Sequence, residues 1–319
     1  MITPARPFVA LRALFGSAEG KAALARALGE IEAAPEHPAT LALLDEAWAA
    51  PEAAACHVIG ITGPPGVGKS TLVGALIGHW RAADKSVGVI AVDPSSRRSG
   101  GALLGDRTRL RTDPADHAIF IRSMAARERL GGLAALTYPA AILMRALFDV
   151  LVIETVGVGQ SETEIAGVAD TVLLCLQPGS GDSLQYMKAG IVEIPDIVAV
   201  TKGDLGETAR RTAADAAGAI SLEAGTAPAS VLIVSALKGE GLGELVAALE
   251  RHRALLAETQ RLAAKRANQA EDWLAAAFRE RFGSAGVARA ADAQAKPGAS
   301  PFRRLGEIGS LLSSKGTGI

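Results

Sequence analysis

Cysteine and aromatic residues are scarce in this 319-residue chain, and neither sign of charge is in excess. The two cysteines, Cys56 and Cys175, lie far apart in apolar surroundings, which predicts reduced, buried thiols and excludes a disulfide-built fold. Aromatic residues make up 4% of the chain, so the core has to be built mainly from Ala, Val, Leu and Ile. With a formal net charge of −1 there is no basic surplus to neutralise phosphates, and we expect no nucleic-acid partner.

Long apolar stretches are also missing from the sequence. No run reaches the roughly 18 apolar residues that a membrane-spanning helix requires, so we expect no membrane partner and a cytoplasmic location. Apolar residues account for 49% of the chain and charged residues for 21%, which is an ordinary globular balance. The length predicts one large core with appendages, or two domains.

The spacing of apolar residues divides the chain into four segments. Helical spacing interrupted by prolines predicts a helical extension over residues 1–55. Short runs rich in Val and Ile alternate with helix-length stretches over 56–255, which predicts an α/β domain with a mostly parallel sheet. Helical spacing returns over 256–282, whereas 283–319 is rich in Gly, Ala, Ser and Pro. We expect that last segment to be mostly flexible, with one short helix near Phe302–Leu312.

The α/β segment contains seven candidate strands and, between them, stretches long enough for helices. The strands are expected at Val58–Thr62, Val87–Val92, Ala118–Ile121, Val150–Glu154, Thr171–Leu176, Ile197–Thr201 and Val231–Val234. The helices are expected at Thr71–Ala82, Leu133–Leu147 and Glu207–Ala224.

A glycine-rich loop follows the first predicted strand directly and precedes a predicted helix. Such a loop binds phosphate because glycines let backbone N–H groups approach the oxygens, and the helix N-terminus adds partial positive charge. In this pattern, G-x-x-x-x-G-K-[ST], Lys69 is predicted to bridge the β- and γ-phosphates and Ser70 to ligate Mg²⁺. An ordinary glycine-rich turn is the alternative. The matching residues are Gly63, Pro64, Pro65, Gly66, Val67, Gly68, Lys69, Ser70 and Thr71.

Two short motifs at later strand ends favour guanine as the base. Thr201-Lys202-Gly203-Asp204 resembles the [NT]-K-x-D motif, whose carboxylate accepts two N–H groups that guanine has and adenine lacks. Lys202 is predicted to pack its aliphatic stem over the purine. Thr201 replaces the commoner Asn, so the sequence does not establish the hydrogen bond by which that Asn tethers the motif. Ser235-Ala236-Leu237-Lys238 resembles the loop whose backbone contacts the guanine oxygen. The predicted ligands are therefore GTP or GDP with Mg²⁺.

Acidic residues at strand ends are the remaining candidates for the metal and for catalysis, together with Lys69. Asp93 ends the second predicted strand, and Asp106 follows it on a glycine-containing stretch. Mg²⁺ takes one or two carboxylates besides phosphate oxygens, so both residues are candidate ligands. The alternative role for Asp106 is that of a helix cap. Glu154 ends the fourth strand three residues before Gly157, where most GTPases have aspartate. We expect Gly157 to meet the γ-phosphate with its amide.

Taken together, these motifs resemble the methylmalonyl-CoA mutase-associated GTPases (the MeaB/ArgK family), within the group of GTPase metallochaperones and signal-recognition-type NTPases. The resemblance spans about Ala22–Phe282, and its most specific part is the string Glu-Thr-Val-Gly-Val-Gly-Gln-Ser-Glu over Glu154–Glu162. Further matching stretches are Ile59–Thr71, Val92–Ser96 and Pro178–Gln185. The sequence departs from the family pattern at Thr201 and at Glu128, where the family usually has Gly.

The resemblance implies a GTP-hydrolysing chaperone that gates adenosylcobalamin delivery to, and protects, an adenosylcobalamin-dependent acyl-CoA mutase of the methylmalonyl-CoA mutase type. It also implies a homodimer associating through C-terminal helices, which suits 256–282, and an additional switch over Pro178–Lys188. No glutamine directly follows Gly157, so we expect hydrolysis to be slow without the partner.

Alternatives to this function remain open on the sequence alone. They are a P-loop small-molecule kinase, a GTPase metallochaperone for another metal enzyme, and a binding module that senses GTP without turnover. Four arginines have two possible roles: one of them stabilises charge during hydrolysis, or all of them belong to a solvated basic loop. They are Arg97, Arg98, Arg107 and Arg109.

Overall fold

Seven parallel strands form one sheet in the described part of the chain, in the order β3-β2-β4-β1-β5-β6-β7. The computed structural model describes residues 6–94, 110, 112–126, 134–155, 164–179, 194–223, 229–292 and 299–315. The strands are β1 (His57–Thr62), β2 (Val87–Pro94), β3 (Ile119–Ala126), β4 (Val150–Glu154), β5 (Thr171–Leu176), β6 (Ile197–Val200) and β7 (Ser230–Ile233). The predicted α/β fold with a parallel sheet is confirmed.

Strand positions follow from the apolar runs because the central strands are buried on both faces. Every residue of β1, β4 and β5 is buried, and β4 and β5 have the predicted bounds. β3 continues to Ala126, past its predicted end at Ile121. The prediction stopped at Ile121 because Arg122 and Ser123 interrupt the apolar pattern. Arg122 is nevertheless compatible with the strand because its guanidinium forms an ion pair with Glu32, 2.7 Å away.

Helices cover both faces of the sheet. On one face α5 and α8 pack against residues such as Ile59 and Ile61 of β1. The other face is covered by α6, by α7 and by the N- and C-terminal helices. The helices are α1 (Pro7–Ala13), α2 (Ala18–Ala33), α3 (Pro38–Trp48), α4 (Glu52–Ala55), α5 (Lys69–Ala82), α6 (Ala134–Arg145), α7 (Glu207–Glu223), α8 (Leu242–Glu258), α9 (Arg261–Asp292, broken at Gly283) and α10 (Pro301–Lys315).

The terminal helices pack on one another, which changes the expectation for the C-terminal segment. Part of 283–319, expected to be mostly flexible, is the packed helix α10, which is longer than the short helix expected there. Phe302 is fully buried, and Leu305 and Ile308 follow at helical spacing on the same buried side. These side chains pack in the same core as α3 and α9, so the stability of this helix depends on residues distant in sequence.

A buried ion pair fastens α9 to the amino edge of the sheet, opposite the edge where the predicted site residues lie. Arg266 donates from Nε to Asp170 Oδ1 at 2.8 Å and from Nη2 to Oδ2 at 2.7 Å. The same guanidinium donates to the carbonyls of Ala53 and Cys56, at the end of α4. Asp170 also accepts from the amide of Val58 at 2.8 Å, so one carboxylate joins α9, β1 and β5.

A second polar chain at this edge includes two histidines. Thr171 Oγ1 lies 2.8 Å from His57 Nε2 and 2.8 Å from His252 Nδ1, and His252 Nε2 lies 3.3 Å from Asp196 Oδ1. Burial is the main cause that lowers the pKa of His57 to about 3; the charge of Asp170 opposes this shift and that of Arg253 adds to it. His57 is therefore neutral in the folded protein at neutral pH.

This shift predicts a loss of stability in mild acid. Below pH 6.5, the ordinary pKa of histidine, the unfolded chain binds a proton that folded His57 does not. The free energy of unfolding should therefore fall by about 1.4 kcal/mol per pH unit from this group as the pH drops from 6.5 towards 3. Urea denaturation of the wild type and of His57→Gln, between pH 7.5 and pH 5.0, measures the difference in slope. The exposed His79→Gln should keep the wild-type slope, and an unchanged slope in His57→Gln would contradict the assignment.

Candidate nucleotide-binding site

The loop between β1 and α5 has the backbone geometry that its glycines permit. Gly63 has φ of +140°, and a Cβ there would lie 2.3 Å from the carbonyl oxygen of Cys175. Gly68 has φ of +102° and is the N-cap of α5, so it offers no side chain to the first amides of the helix. The N–H groups of that first turn therefore remain available to an anion.

Lys69 lies at the centre of this loop. It is 7% exposed, and its Nζ donates to the carbonyl oxygens of Gly63 at 2.6 Å and Pro64 at 3.0 Å. The first residue of α5 thus places a buried ammonium group inside the loop, in contact with two of its carbonyl oxygens. This is an arrangement suited to binding a polyphosphate.

The next residue, Ser70, contacts an acid from the neighbouring strand. Ser70 Oγ donates to Glu154 Oε1 at 2.8 Å, because β4 pairs with β1 and places Glu154 opposite Ile61. A second hydroxyl contact joins the same strand ends, where Thr155 Oγ1 donates to Thr62 Oγ1 at 2.9 Å. Two residues that the sequence predicted as metal ligands are therefore in contact.

The other predicted metal ligands are only partly described. β2 pairs Ala91 with Glu154, so Asp93 lies two residues further along the adjacent strand, at the same carboxyl edge. Its side chain is outside the described part of the structure. Several predicted residues and segments lie outside the described residues altogether: Asp106, Gly157, Arg97, Arg98, Arg107, Arg109, Glu128 and most of Pro178–Lys188.

Thr201 ties the predicted base-binding loop to the phosphate loop. Its Oγ1 lies 2.6 Å from the carbonyl oxygen of Val67 and 3.0 Å from that of Leu176, and the side chain is buried. The hydroxyl therefore provides the tethering hydrogen bond that was not assured from the sequence. One residue later, Lys202 donates from Nζ to Gly66 O at 3.1 Å and to Gln177 Oε1 at 2.8 Å.

The two predicted base-binding motifs meet at Asp204. Ser235 Oγ donates to Asp204 Oδ1 at 2.8 Å, and this hydrogen bond lowers the pKa of the exposed carboxylate. The amide of Gly203 donates to Val234 O at 2.9 Å, and a Cβ on Gly203 would lie 2.8 Å from the side chain of Ile233. The motifs are thus held side by side, with Ala236 and the exposed Leu237 following on the same loop.

Some contacts at the site have no sequence signature. The acceptors of Thr201 and Lys202 include the backbone carbonyls of Val67 and Gly66, which any residue type would supply. Gln177 was not predicted as a site residue, and only its place at the end of β5, beside β6, could have suggested it. Sequence motifs identify side chains that contact ligands better than the backbone groups that hold those side chains.

Two features are absent from the described residues. Within those ranges, no three His, Cys, Asp or Glu side chains cluster closely enough to hold a metal ion together. Nor does any helix there have the length and apolar character needed to cross a bilayer.

Comparison with known proteins places this geometry in a family. The family described as methylmalonyl Co-A mutase-associated GTPase MeaB matches residues 24–291. A putative GTPase of Pyrococcus horikoshii is 45% identical over 223 residues, which are 68% of this chain and 70% of the relative. The methylmalonic aciduria type A homolog, mitochondrial, of Mus musculus is 38% identical over 222 residues, 68% of this chain and 54% of that protein. The crystal structure of an LAO/AO transport system kinase is 25% identical with a TM-score of 0.68, covering 98% of this chain and 99% of the other.

Proposed function

The chain belongs to the MeaB family of methylmalonyl-CoA mutase-associated GTPases, and we propose that it is a chaperone that hydrolyses GTP to gate adenosylcobalamin delivery to, and to protect, an acyl-CoA mutase of the methylmalonyl-CoA mutase type. The observation that supports this most is the family match over residues 24–291, which includes both the phosphate loop and the base-binding loop. The family name describes a GTPase associated with that mutase. The geometry of the site supports the residue roles that we propose.

For the phosphates, we propose binding by the loop from Gly63 to Thr71. Its amides, with those at the N-terminus of α5, donate to phosphate oxygens, and Lys69 exchanges its loop carbonyl acceptors for the β- and γ-phosphates. Energetics favour this exchange, because phosphate brings a negative charge to the ammonium group whereas a carbonyl oxygen is neutral. Gly157 is proposed to donate its amide to the γ-phosphate.

The residues present fit a Mg²⁺ ion. Ser70 and Glu154 offer a hydroxyl and a carboxylate 2.8 Å apart, and hard oxygen donors of this kind are what Mg²⁺ takes in proteins. We propose these two residues as its ligands, directly or through water, with Asp93 and Asp106 as further candidates. When bound, the ion neutralises charge on the phosphate oxygens.

The reaction is the transfer of the γ-phosphoryl group from GTP to water, which yields GDP and phosphate. The water oxygen bonds to phosphorus as the bond to the β–γ bridging oxygen breaks, and negative charge accumulates on that leaving oxygen. Lys69 and the loop amides stabilise this charge because the loop already holds them in place before the reaction. Glu154 and Asp93 are proposed to orient the attacking water or the metal's own water ligands.

Asp204 is proposed to read the base. Its carboxylate would accept the N1 and exocyclic N2 hydrogens of guanine, while the hydrogen bond from Ser235 fixes its orientation. Lys202 packs its stem on the purine and remains connected to the phosphate loop through Gly66. Backbone groups of Ser235, Ala236 and Leu237 are proposed to contact the guanine oxygen. Adenine has no matching pair of donors and would leave the carboxylate unsatisfied.

Replacing Asp204 with asparagine should change the preferred base. Asparagine loses one acceptor for guanine but gains an N–H group that matches the carbonyl of xanthine, so GTP affinity should fall by about 10- to 100-fold while XTP affinity rises. Titration with fluorescent GTP and XTP analogues measures both affinities. Glu207→Gln, an exposed acid three residues later, should leave both unchanged, and unaltered preference in Asp204→Asn would contradict the proposed role.

The homodimer and the cytoplasmic location are also proposals. The apolar residues Trp273, Leu274 and Phe278 of α9 pack inside this chain against α6 and α10, so a dimer would use the polar outer side of the helix. Sedimentation equilibrium of the purified full chain at micromolar concentration should give twice the mass of one chain. A single-chain mass across that range would reject the dimer.

The chaperone proposal is tested with a purified adenosylcobalamin-dependent methylmalonyl-CoA mutase. Phosphate release from GTP should be slow for the chain alone and should rise at least about tenfold when that mutase is added. A pull-down with GDP and with a non-hydrolysable GTP analogue should recover the mutase in a nucleotide-dependent amount. Equal hydrolysis rates together with no recovered mutase in either state would reject the partner while leaving the GTPase assignment intact.

A further inference from the structure

A buried arginine at the end of α6 lacks a hydrogen-bond acceptor. Arg145 is 7% exposed, and its Nε is buried without a hydrogen-bond partner in the described structure. The ring of Trp48, at the end of α3, lies 5.3 Å from the guanidinium carbon. No carboxylate among the described residues forms an ion pair with this side chain, although arginine is rarely buried unless it is paired.

A second unpartnered donor lies on the same side of the helix. Tyr138 is 3% exposed, and its hydroxyl is buried without a partner in the described structure. It precedes Arg145 by two helical turns, so the two residues lie on the same face of α6. Burial raises the pKa of Tyr138, the charges of Arg145 and Arg266 act against that rise, and the charge of Glu271 adds to it. Tyr138 also stacks on Trp273 of α9, with ring centroids 5.3 Å apart.

The charges around Arg145 do not balance. The neighbouring carboxylate of Asp170 is already bound by Arg266 through two hydrogen bonds. Burial lowers the pKa of Arg145 and the charge of Arg266 also lowers it, whereas the charge of Asp170 raises it. Because Asp170 is already paired with Arg266, the charge of Arg145 has no carboxylate counter-ion of its own among the described residues.

Neither of the compensating contacts supplies what Arg145 lacks. Contact with an aromatic face offsets part of the desolvation of a cation, and the C-terminus of α6 adds a partial negative charge. A buried ion still needs acceptor atoms for its hydrogens. Because both Arg145 Nε and the Tyr138 hydroxyl can donate, the missing group is an acceptor, and the charge of Arg145 requires it to be negative.

We propose that the interior between α3, α6 and α9 binds a small inorganic anion of the size of chloride, held by Arg145 and the hydroxyl of Tyr138. The anion would join the N-terminal helices, the sheet-covering helix α6 and the C-terminal helix in one electrostatic contact. It is separate from the nucleotide site, which lies at the carboxyl edge of the sheet. Its role is to stabilise the packing of the terminal helices on the core.

A crystal of the full chain grown or soaked in sodium bromide tests the site directly. We expect an anomalous bromide peak within hydrogen-bond distance of Arg145 Nε and Tyr138 Oη. Density for water without an anomalous signal, or no density, would overturn the proposal.

Thermal unfolding gives an independent measurement in solution. At constant ionic strength, replacing gluconate by chloride should raise the Tm of the wild type by at least about 2 °C, in a saturable way. Tyr138→Phe, which preserves the ring, should lose at least half of this shift, and Arg145→Met should lose all of it. Arg12→Met is the matched control, because Arg12 lies at the same end of α6 but is already bonded to Ala146 O and Glu52. An equal chloride shift in the wild type and Tyr138→Phe would overturn the assignment even if Arg145→Met fails to fold.

Discussion

Replacing Lys69 with alanine is expected to reduce the rate of GTP hydrolysis by about 100- to 1,000-fold, the usual cost of removing one preorganised charge-stabilising donor. The ammonium group lies inside the loop within 3.0 Å of two carbonyl oxygens, so it is already positioned where the phosphates are proposed to bind. Its interaction with the leaving oxygen strengthens as negative charge develops there, which makes the loss larger for hydrolysis than for binding.

Single-turnover phosphate release and nucleotide titration together measure this difference for Lys69→Ala. Lys85→Ala is the control, because Lys85 is a half-exposed lysine paired with Glu250 at the amino edge of the sheet. It should hydrolyse GTP at the wild-type rate. If Lys69→Ala has the same free energy of unfolding as the wild type and keeps more than a tenth of the wild-type hydrolysis rate, the role proposed for Lys69 is contradicted.

Replacing Asp170 with asparagine is expected to lower the free energy of unfolding by about 3–5 kcal/mol, because the charge of Arg266 would remain buried without its counter-ion. Burial alone would raise the pKa of Asp170, but the hydrogen bonds and charge of Arg266 outweigh it and hold the pKa below its ordinary value. The pair has excellent geometry and also fixes the carbonyls of α4. Urea denaturation at neutral pH measures the loss.

The exposed pair Glu207 and Arg210 supplies the matched comparison. Their side chains are 75% and 66% exposed and lie 2.9 Å apart, so Glu207→Gln should cost less than about 1 kcal/mol. The double change Asp170→Leu with Arg266→Met should recover much of the stability lost in Asp170→Asn, since no unpaired charge remains. Equal losses for Asp170→Asn and Glu207→Gln would show that the buried pair is not energetically important.

Several parts of the site follow from the sequence because contiguous residues form them. The phosphate loop is proposed to bind its ligand through the backbone of residues 63–71, and the glycine spacing with the strand before it was sufficient to predict its conformation. The contact between Ser70 and Glu154 was also foreseeable, since parallel strands that flank the loop end at the same edge. The fold class followed from the continuous apolar strands.

Thr201 shows where sequence comparison alone gave an incomplete answer. As a departure from the commoner Asn, it left one tethering hydrogen bond unassured. In the folded protein its hydroxyl reaches both Val67 O and Leu176 O, because β6 lies beside β5 and ends next to the phosphate loop. The distance that a shorter side chain can span depends on how closely those elements pack, which no local pattern encodes.

The amino-acid sequence by itself predicted the sheet, the phosphate loop and a base-binding motif that follows this loop in the chain. Each of these predictions depends on residue spacing within single elements. Only the tertiary structure decided that α10 packs beside α3, that Asp170 and Arg266 form a buried pair, and that Arg145 is enclosed with too few acceptors. These contacts join residues far apart in the chain. Their existence depends on how the helices are arranged over the sheet, since burial turns an ordinary arginine or aspartate into a group whose charge must be balanced.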